Sequence, residues 1–378
     1  MNDNKISKNS IVAKFAVPIS FLILFFLAAN FTDCDLVTFW KRRNHLTDLV
    51  VDMIPPDFSY IQKILLPLFY TIQMSVTGTV LGIFFALVLS PFGAANLGFP
   101  AVIRRILRIV IQILRSFPAL ILALTATFLF GLGTFAGTFA ITLYTFAIMT
   151  KLTYEDASAA DVKAYQALRA MGVSKYVAYI HGILPEIIPG FLTNALYLLE
   201  TNVRHSSILG YVGAGGIGLL LNEKISWLEY DKVGTILLML FLTVCVIEYF
   251  SRYLAALIRK ERTIKKEQAR LLLLFLAALF LICTFTLSLP DFSRTSPQTL
   301  RNMFAGFLQP DWSFFFSAEK DGLGYLLLET VCIAFIGTVI GAIVSAPLAF
   351  LNTKRFVPAP VSFLFNLVIM VIRSVPFL

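Results

Sequence analysis

The chain has 378 residues, of which 58% are hydrophobic and only 14% charged, with a formal net charge of +9. Soluble domains are about 45–50% apolar and about 25% charged, so this composition excludes an ordinary soluble domain and indicates an all-α integral membrane protein. In such a protein a positive excess reads as basic loops held on the cytoplasmic side, not as a nucleic-acid surface.

A membrane helix needs about 20 apolar residues. In chain order the candidates are 15–31, 65–92, 109–131, 134–150, 190–221, 233–257, 271–289, 325–351 and 360–378. Lys5, Lys8 and Lys14 precede the first run, but no small-x-small site follows at the expected distance and Ala28-Ala29-Asn30 is only a weak candidate. A retained first helix is therefore expected, not a cleaved signal. Basic residues cluster in the N-terminal tail, at Arg104, Arg105 and Arg108, at Lys151, Lys163, Arg169 and Lys175, and at Lys354 and Arg355. The stretch from Arg252 to Arg270 carries seven more against two acids. With the N-terminus inside, all of these fall on the cytoplasmic side. Segment 32–64 balances Lys41, Arg42 and Arg43 with five aspartates and is placed outside. Cys34, Cys245, Cys283 and Cys332 are isolated and form no metal or disulfide pattern.

The chain repeats itself. "PPDFSYIQ" from 55 resembles "QPDWSFFF" from 309, and "TIQMSVTGTVLG" from 71 resembles "TVCIAFIGTVIG" from 330. Pro91 and Asn96 match Pro347 and Asn352, and "RSFPAL" from 115 matches "RSVPFL" from 373. Four matches in one order at nearly constant offset indicate two copies of one unit, as in transporters built from parallel repeats. The expected organisation is a first unit over 1–258, with its transmembrane core at about 60–258 and a loop at 151–190. A basic cytoplasmic linker follows over 259–270. An incomplete second unit occupies 271–378, either because the sequence is a fragment of a longer fused chain or because the gene is shortened.

The loop contains a helix-like run, a break at Gly172, a second run, then Leu184-Pro185. On physics alone it is an amphipathic connector or a lever of two short helices. Gln166-Ala167-Leu168, Gly172 and Leu184-Pro185 are similar to the "EAA" coupling loop of permease subunits of binding-protein-dependent ABC importers. Gln166 stands where glutamate is usual and Gly182 where isoleucine is usual. That resemblance implies the multi-helix type I ABC importer transmembrane fold, here with about nine transmembrane helices and a tandem repeat. It also implies that the loop docks on a separate ABC ATP-binding subunit.

In "YLLETNVRHSSILGYVGAGGIG", from 197, Glu200 and Arg204 are spaced i,i+4 and can meet on one helix face. They read either as an internal ion pair or, with Asn202, Ser206 and Ser207, as the lining of a solute path. Gly213, Gly215 and Gly218 have dinucleotide-fingerprint spacing but lack the strand and βαβ setting it requires. With Gly216 they read instead as a broken helix along the path. The stretch resembles the equivalent segment of phosphonate and phosphate-type importer permeases, whereas methionine and osmolyte importers share mainly the glycines. Arg115-Ser116 and Arg373-Ser374 precede the repeated prolines; each arginine either faces the path or snorkels to the interface.

No GxxxxGK[ST] occurs, and His45, His181 and His205 are scattered. The expected protein is thus no enzyme and needs no metal or cofactor. It is a multi-pass permease of a bacterial inner membrane, with membrane lipid around it, that moves a phosphonate-like oxyanion. Its partners are an ATPase subunit, a periplasmic solute-binding protein and, if the chain is truly this short, a second permease copy. The alternatives are a methionine- or osmolyte-type importer and a non-transporting paralogue.

Overall fold

The structure is a computed structural model that describes residues 19–34, 36–259, 266–290, 301–302, 305–306, 309, 311–317, 322–353 and 355–374. Among the described residues every regular element is helical. The elements fall into two compact units, one drawn from 1–51 and 301–370, the other from 52–300 and 371–378.

The larger unit holds the candidate site. After α1 (Ile19–Phe31), α2 (Leu36–Lys41) and α3 (Arg43–Asp52) come α4 (Ile61–Gly93), α5 (Ala101–Ser116), α6 (Ala119–Phe130) and α7 (Thr134–Ala159). Two short helices, α8 (Lys163–Ala170) and α9 (Lys175–Gly182), lead into α10 (Leu184–Leu209), α11 (Ile217–Ser226), α12 (Tyr230–Ile258) and α13 (Lys266–Phe285). The smaller unit contains α1 to α3, α14 (Trp312–Phe315) and α15 (Leu323–Asn352); α16 (Ala359–Ser374) closes the described chain.

The spine of the larger unit is the parallel pair α4 and α7. Gly78 and Gly82 lie directly on Ile141 and Thr145, the small-residue contact by which membrane helices approach closely. α10 runs back against both. Its buried Phe191, Ala195 and Leu198 join Ala86 and Met149 in one apolar cluster.

Among the described residues four helices are long and apolar enough to cross a membrane, and two bent pairs are also long and apolar enough taken together. Shorter apolar helices lie at Ile19–Phe31, Arg270–Phe285 and Ala359–Ile369. Within the described residues the expected spans fall on helices, with 15–18 and 375–378 of the first and last spans lying outside the described residues, but two are not continuous. The run 109–131 turns by 94° between α5 and α6, where Phe117 is held extended ahead of Pro118. The run 190–221 ends as a helix at Leu209.

The division into units also differs from the expected boundary. α13 packs on α4, with the Gln73 amide donating to the Cys283 carbonyl at 3.0 Å and to Thr286 Oγ1 at 2.8 Å. α13 thus belongs to the larger compact unit. In the smaller unit, α1 pairs with α15 through Phe21–Phe335 and Phe31–Tyr325 ring contacts.

A helical hairpin and a polar helix core

The loop after α7 forms a helical hairpin. Asp161 accepts from the Lys163 amide at 3.0 Å and pairs with its ammonium at 3.1 Å. Those bonds hold its carboxyl below the usual carboxylate range. Gly172 turns the chain at φ +85°, conformational space that costs a side chain about 1–2 kcal/mol. Ser174 then caps α9 by accepting from the Val177 amide.

Gln166, Ala167, Met171 and Gly172 are exposed on one side of the hairpin, and Pro185 is exposed at the start of α10. Leu168 and Leu184 turn inward onto a cluster of Leu97, Tyr165, Ala178, Tyr179 and Ile183. Gly182 has a reason of its own: a Cβ there would lie 2.8 Å from the Tyr165 amide nitrogen. The two helices cross so closely that isoleucine would not fit.

In α10, Arg204 donates to Glu200 one turn before it, and both side chains are largely buried. Asn202 has no exposed surface. Its amide donates to Thr79 Oγ1 and Thr145 Oγ1, each at 2.8 Å, joining α10 to α4 and α7. Ser206 reaches Ser75 Oγ at 3.1 Å and the Val203 carbonyl at 2.8 Å; Ser207 donates to the Arg204 carbonyl at 2.6 Å. Asn202, Ser206 and Ser207, expected to line a solute path, are all buried in this unit.

The glycine segment breaks the helix as expected. Gly213, Gly215 and Gly216 have φ between +72° and +82°. Gly218 crosses so near the preceding strand of backbone that a Cβ would fall 1.7 Å from the Ser207 carbonyl oxygen. The α11 N-terminus is met by Thr71 Oγ1, which accepts from the Ile217 amide at 2.8 Å. Backbone bonds of Gly133 to Gly213 and Ala214 to Leu209 hold the turn. This is a buried backbone crossing among α4, α7 and α10, and among the described residues there is no strand to carry a nucleotide fold.

The family described as "Binding-protein-dependent transport system inner membrane component" matches residues 78–263. The phosphite transport system permease protein PtxC of Stutzerimonas stutzeri is 31% identical over 217 residues, covering 57% of this chain and 79% of that protein. This chain belongs to that family. The phosphate-import permease protein PhnE of Mycolicibacterium smegmatis is 32% identical over 203 residues, which is 53% of this chain and 38% of PhnE. Among solved structures, an inward-facing MetNI methionine ABC transporter matches 53% of this chain and 99% of its own at 20% identity, with a TM-score of 0.48.

The remaining candidate residues of this inner-membrane component lie apart from the two groups above. Arg115 and Ser116 are exposed at the α5–α6 bend, the serine donating to Ile113 O at 2.7 Å. Arg373 and Ser374 end α16, and their side chains lie outside the described residues. A further basic residue of α5 serves the neighbouring helix end. Arg108 Nε donates to the Gly93 carbonyl at 3.0 Å and its guanidinium lies over Tyr154, where a cation complements the C-terminus of α4.

Sequence reasoning missed the hydroxyls that answer Asn202 and Ser206. Their signal is Thr71, Ser75 and Thr79 at every fourth residue of α4. It also missed Lys224, only 5% exposed. That lysine bridges Glu223 at 3.0 Å and Glu229 at 2.9 Å and lies over Trp227. Burial opposes its charge, but the two glutamates outweigh it and raise its pKa.

Proposed function

We propose that the chain is the membrane-spanning permease of an importer for a phosphorus oxyanion such as phosphite, phosphonate or phosphate. The observation that carries the reading is the 31% identity over 217 residues to a phosphite permease, over most of that protein's length. A separate ABC ATP-binding subunit hydrolyses ATP and docks on the exposed Gln166–Gly172 side of the hairpin. A periplasmic solute-binding protein delivers the solute to the opposite face. The N-terminus is cytoplasmic, in keeping with the Lys and Arg placement.

The polar residues then divide by role. Asn202, Ser206 and Ser207 hold α10 in register against α4 and α7. Arg204, held by Glu200, is the guanidinium that meets the anion, since its planar fork matches the oxygens of a phosphorus oxyanion. Arg115 offers a second cation at the α5–α6 bend. The repeated segments support a tandem arrangement of two units, and local geometry repeats with them. Asp57 Oδ1 accepts from Ser59 N at 2.9 Å and Ser59 Oγ at 2.6 Å; Asp311 Oδ1 accepts from Ser313 N at 2.9 Å and Ser313 Oγ at 2.5 Å.

The test is uptake into proteoliposomes holding the complete complex, with phosphite, methylphosphonate, phosphate and methionine supplied in turn. Saturable, ATP-dependent uptake of at least one phosphorus oxyanion and none of methionine is expected. Uptake of methionine alone would refute the assignment.

A further inference from the structure

The coupling hairpin is fastened not only to α10, which follows it in the chain, but also to the segment 94–100 between α4 and α5. Tyr165 of α8 donates its hydroxyl to the Leu97 carbonyl at 2.6 Å. Lys175 of α9 donates to the Gly98 carbonyl, and its ammonium lies 5.8 Å from the Phe99 ring centroid. The same short segment is tied onward. The Asn96 amide donates to the Ala157 carbonyl at 2.9 Å and the Ser158 carbonyl at 3.3 Å, at the end of α7. The Ala95 amide donates to Ser158 Oγ at 3.1 Å. Arg104 of α5 donates to the Ala95 carbonyl at 3.4 Å, and Arg108 of α5 to Gly93 at 3.0 Å. Leu97 is 1% exposed, Ala94 and Ile183 have no exposed surface, and all three belong to one cluster with Tyr165 and Tyr179.

A closely packed cluster of this kind transmits displacement because it has no slack to absorb it. The connection between α9 and α10 bends by 69°, with Ile183 buried in the same cluster. We infer that segment 94–100 is a second relay, carrying movement of the coupling hairpin to α5 and so to the α5–α6 bend where Arg115 stands, with Tyr165 as its positioning residue. The relay rests on the reading of the hairpin as the ATPase dock. It also accounts for Asn96, whose amide ties the segment to two carbonyls at the end of α7.

The experiment uses the complete complex in proteoliposomes, with phosphite, methylphosphonate and phosphate as probes. It records solute taken up per ATP hydrolysed, a ratio that a loss of folded protein does not change. Tyr165→Phe removes one hydroxyl and Lys175→Met one ammonium. Each is expected to keep the ATP-binding subunit bound and ATP hydrolysis within about twofold of the parent. Uptake per ATP is expected to fall roughly three- to tenfold, the scale of one hydrogen bond. An unchanged ratio in both variants overturns the relay, and so does a proportional fall of uptake and hydrolysis together. If Tyr165→Phe does not accumulate, Lys175→Met decides alone. Met171→Asp, at an exposed position on the hairpin turn, tests the dock separately. Loss of the ATP-binding subunit is expected, and its retention would refute the dock whatever the ratio shows.

Discussion

Asn202 illustrates how a polar residue in a membrane helix acquires a role from its neighbours. Both of its amide hydrogens are used, on Thr79 and Thr145, and no part of it faces outward. Interhelical hydrogen bonds in membranes contribute about 0.6–2 kcal/mol each. Asn202→Ala should therefore lower stability by about 1–3 kcal/mol, read as an earlier midpoint when the purified protein is titrated with a denaturing detergent. An unchanged midpoint with lost uptake would return Asn202 to the solute path. Glu200 and Arg204 were legible from spacing alone because both sit on one helix. Asn202 was not, because its partners lie 123 and 57 residues away and depend on the register of three helices. A sequence gives the polar residue but not which way its helix is rotated.

At the scale of elements, the breaks were easier to foresee than the contacts. Gly172 and Pro118 punctuate their helices through backbone chemistry that needs no tertiary information. Gly182, by contrast, reads from sequence as a departure from the usual pattern of the loop, yet it lets α9 cross α8 at the Tyr165 backbone. The two glycines should respond differently to substitution. At Gly172 a Cβ meets nothing within 4 Å, so Gly172→Ala should cost only the strain of a left-handed residue, about 1–2 kcal/mol. Gly182→Ile has both Tyr165 and Ala164 backbone in its way, and should pry the hairpin open. Limited trypsin digestion at Arg169 and Lys175 measures this: Gly182→Ile is expected to be cut much faster than Gly172→Ala. Equal rates would mean that the crossing is looser than the distances indicate.

At the scale of the whole molecule, the membrane class and the family were legible because they depend on composition and on motifs that lie close together in the chain. The assignment of α13 was not, since helix packing in lipid turns on a few polar side chains and not on the apolar runs themselves. The repeated aspartate caps offer a test that addresses both units at once. Hydrogen bonds from Ser59 and Ser313 hold the Asp57 and Asp311 carboxyls below the usual range. A depressed folded-state pKa stabilises fully above the unfolded value of about 3.9 and is lost as pH falls through the folded one. Acid titration should therefore leave the parent unaffected by these caps down to about pH 4 and destabilise it below. The double variant Asp57→Asn and Asp311→Asn should show a shallower acid transition, followed by circular dichroism. An identical acid limb in parent and variant would mean that neither cap contributes to folding stability.

The bond from Gln73 to α13 has a consequence in time. The amide and its hydroxyl acceptor, Thr286, are 213 residues apart, and Gln73 has no exposed surface in the finished unit. A ribosome adding about 5–20 residues per second needs roughly 10–40 s to deliver Thr286 after Gln73 has emerged. Throughout that interval α4 carries an amide whose eventual acceptors have not yet been made, in a solvent that offers it no hydrogen bond. The nascent chain must therefore keep α4 beside the insertion machinery, or beside water, until the basic linker has passed and α13 enters the bilayer. Maturation of the first body is thus scheduled by the arrival of a segment that the sequence repeat assigns to the second.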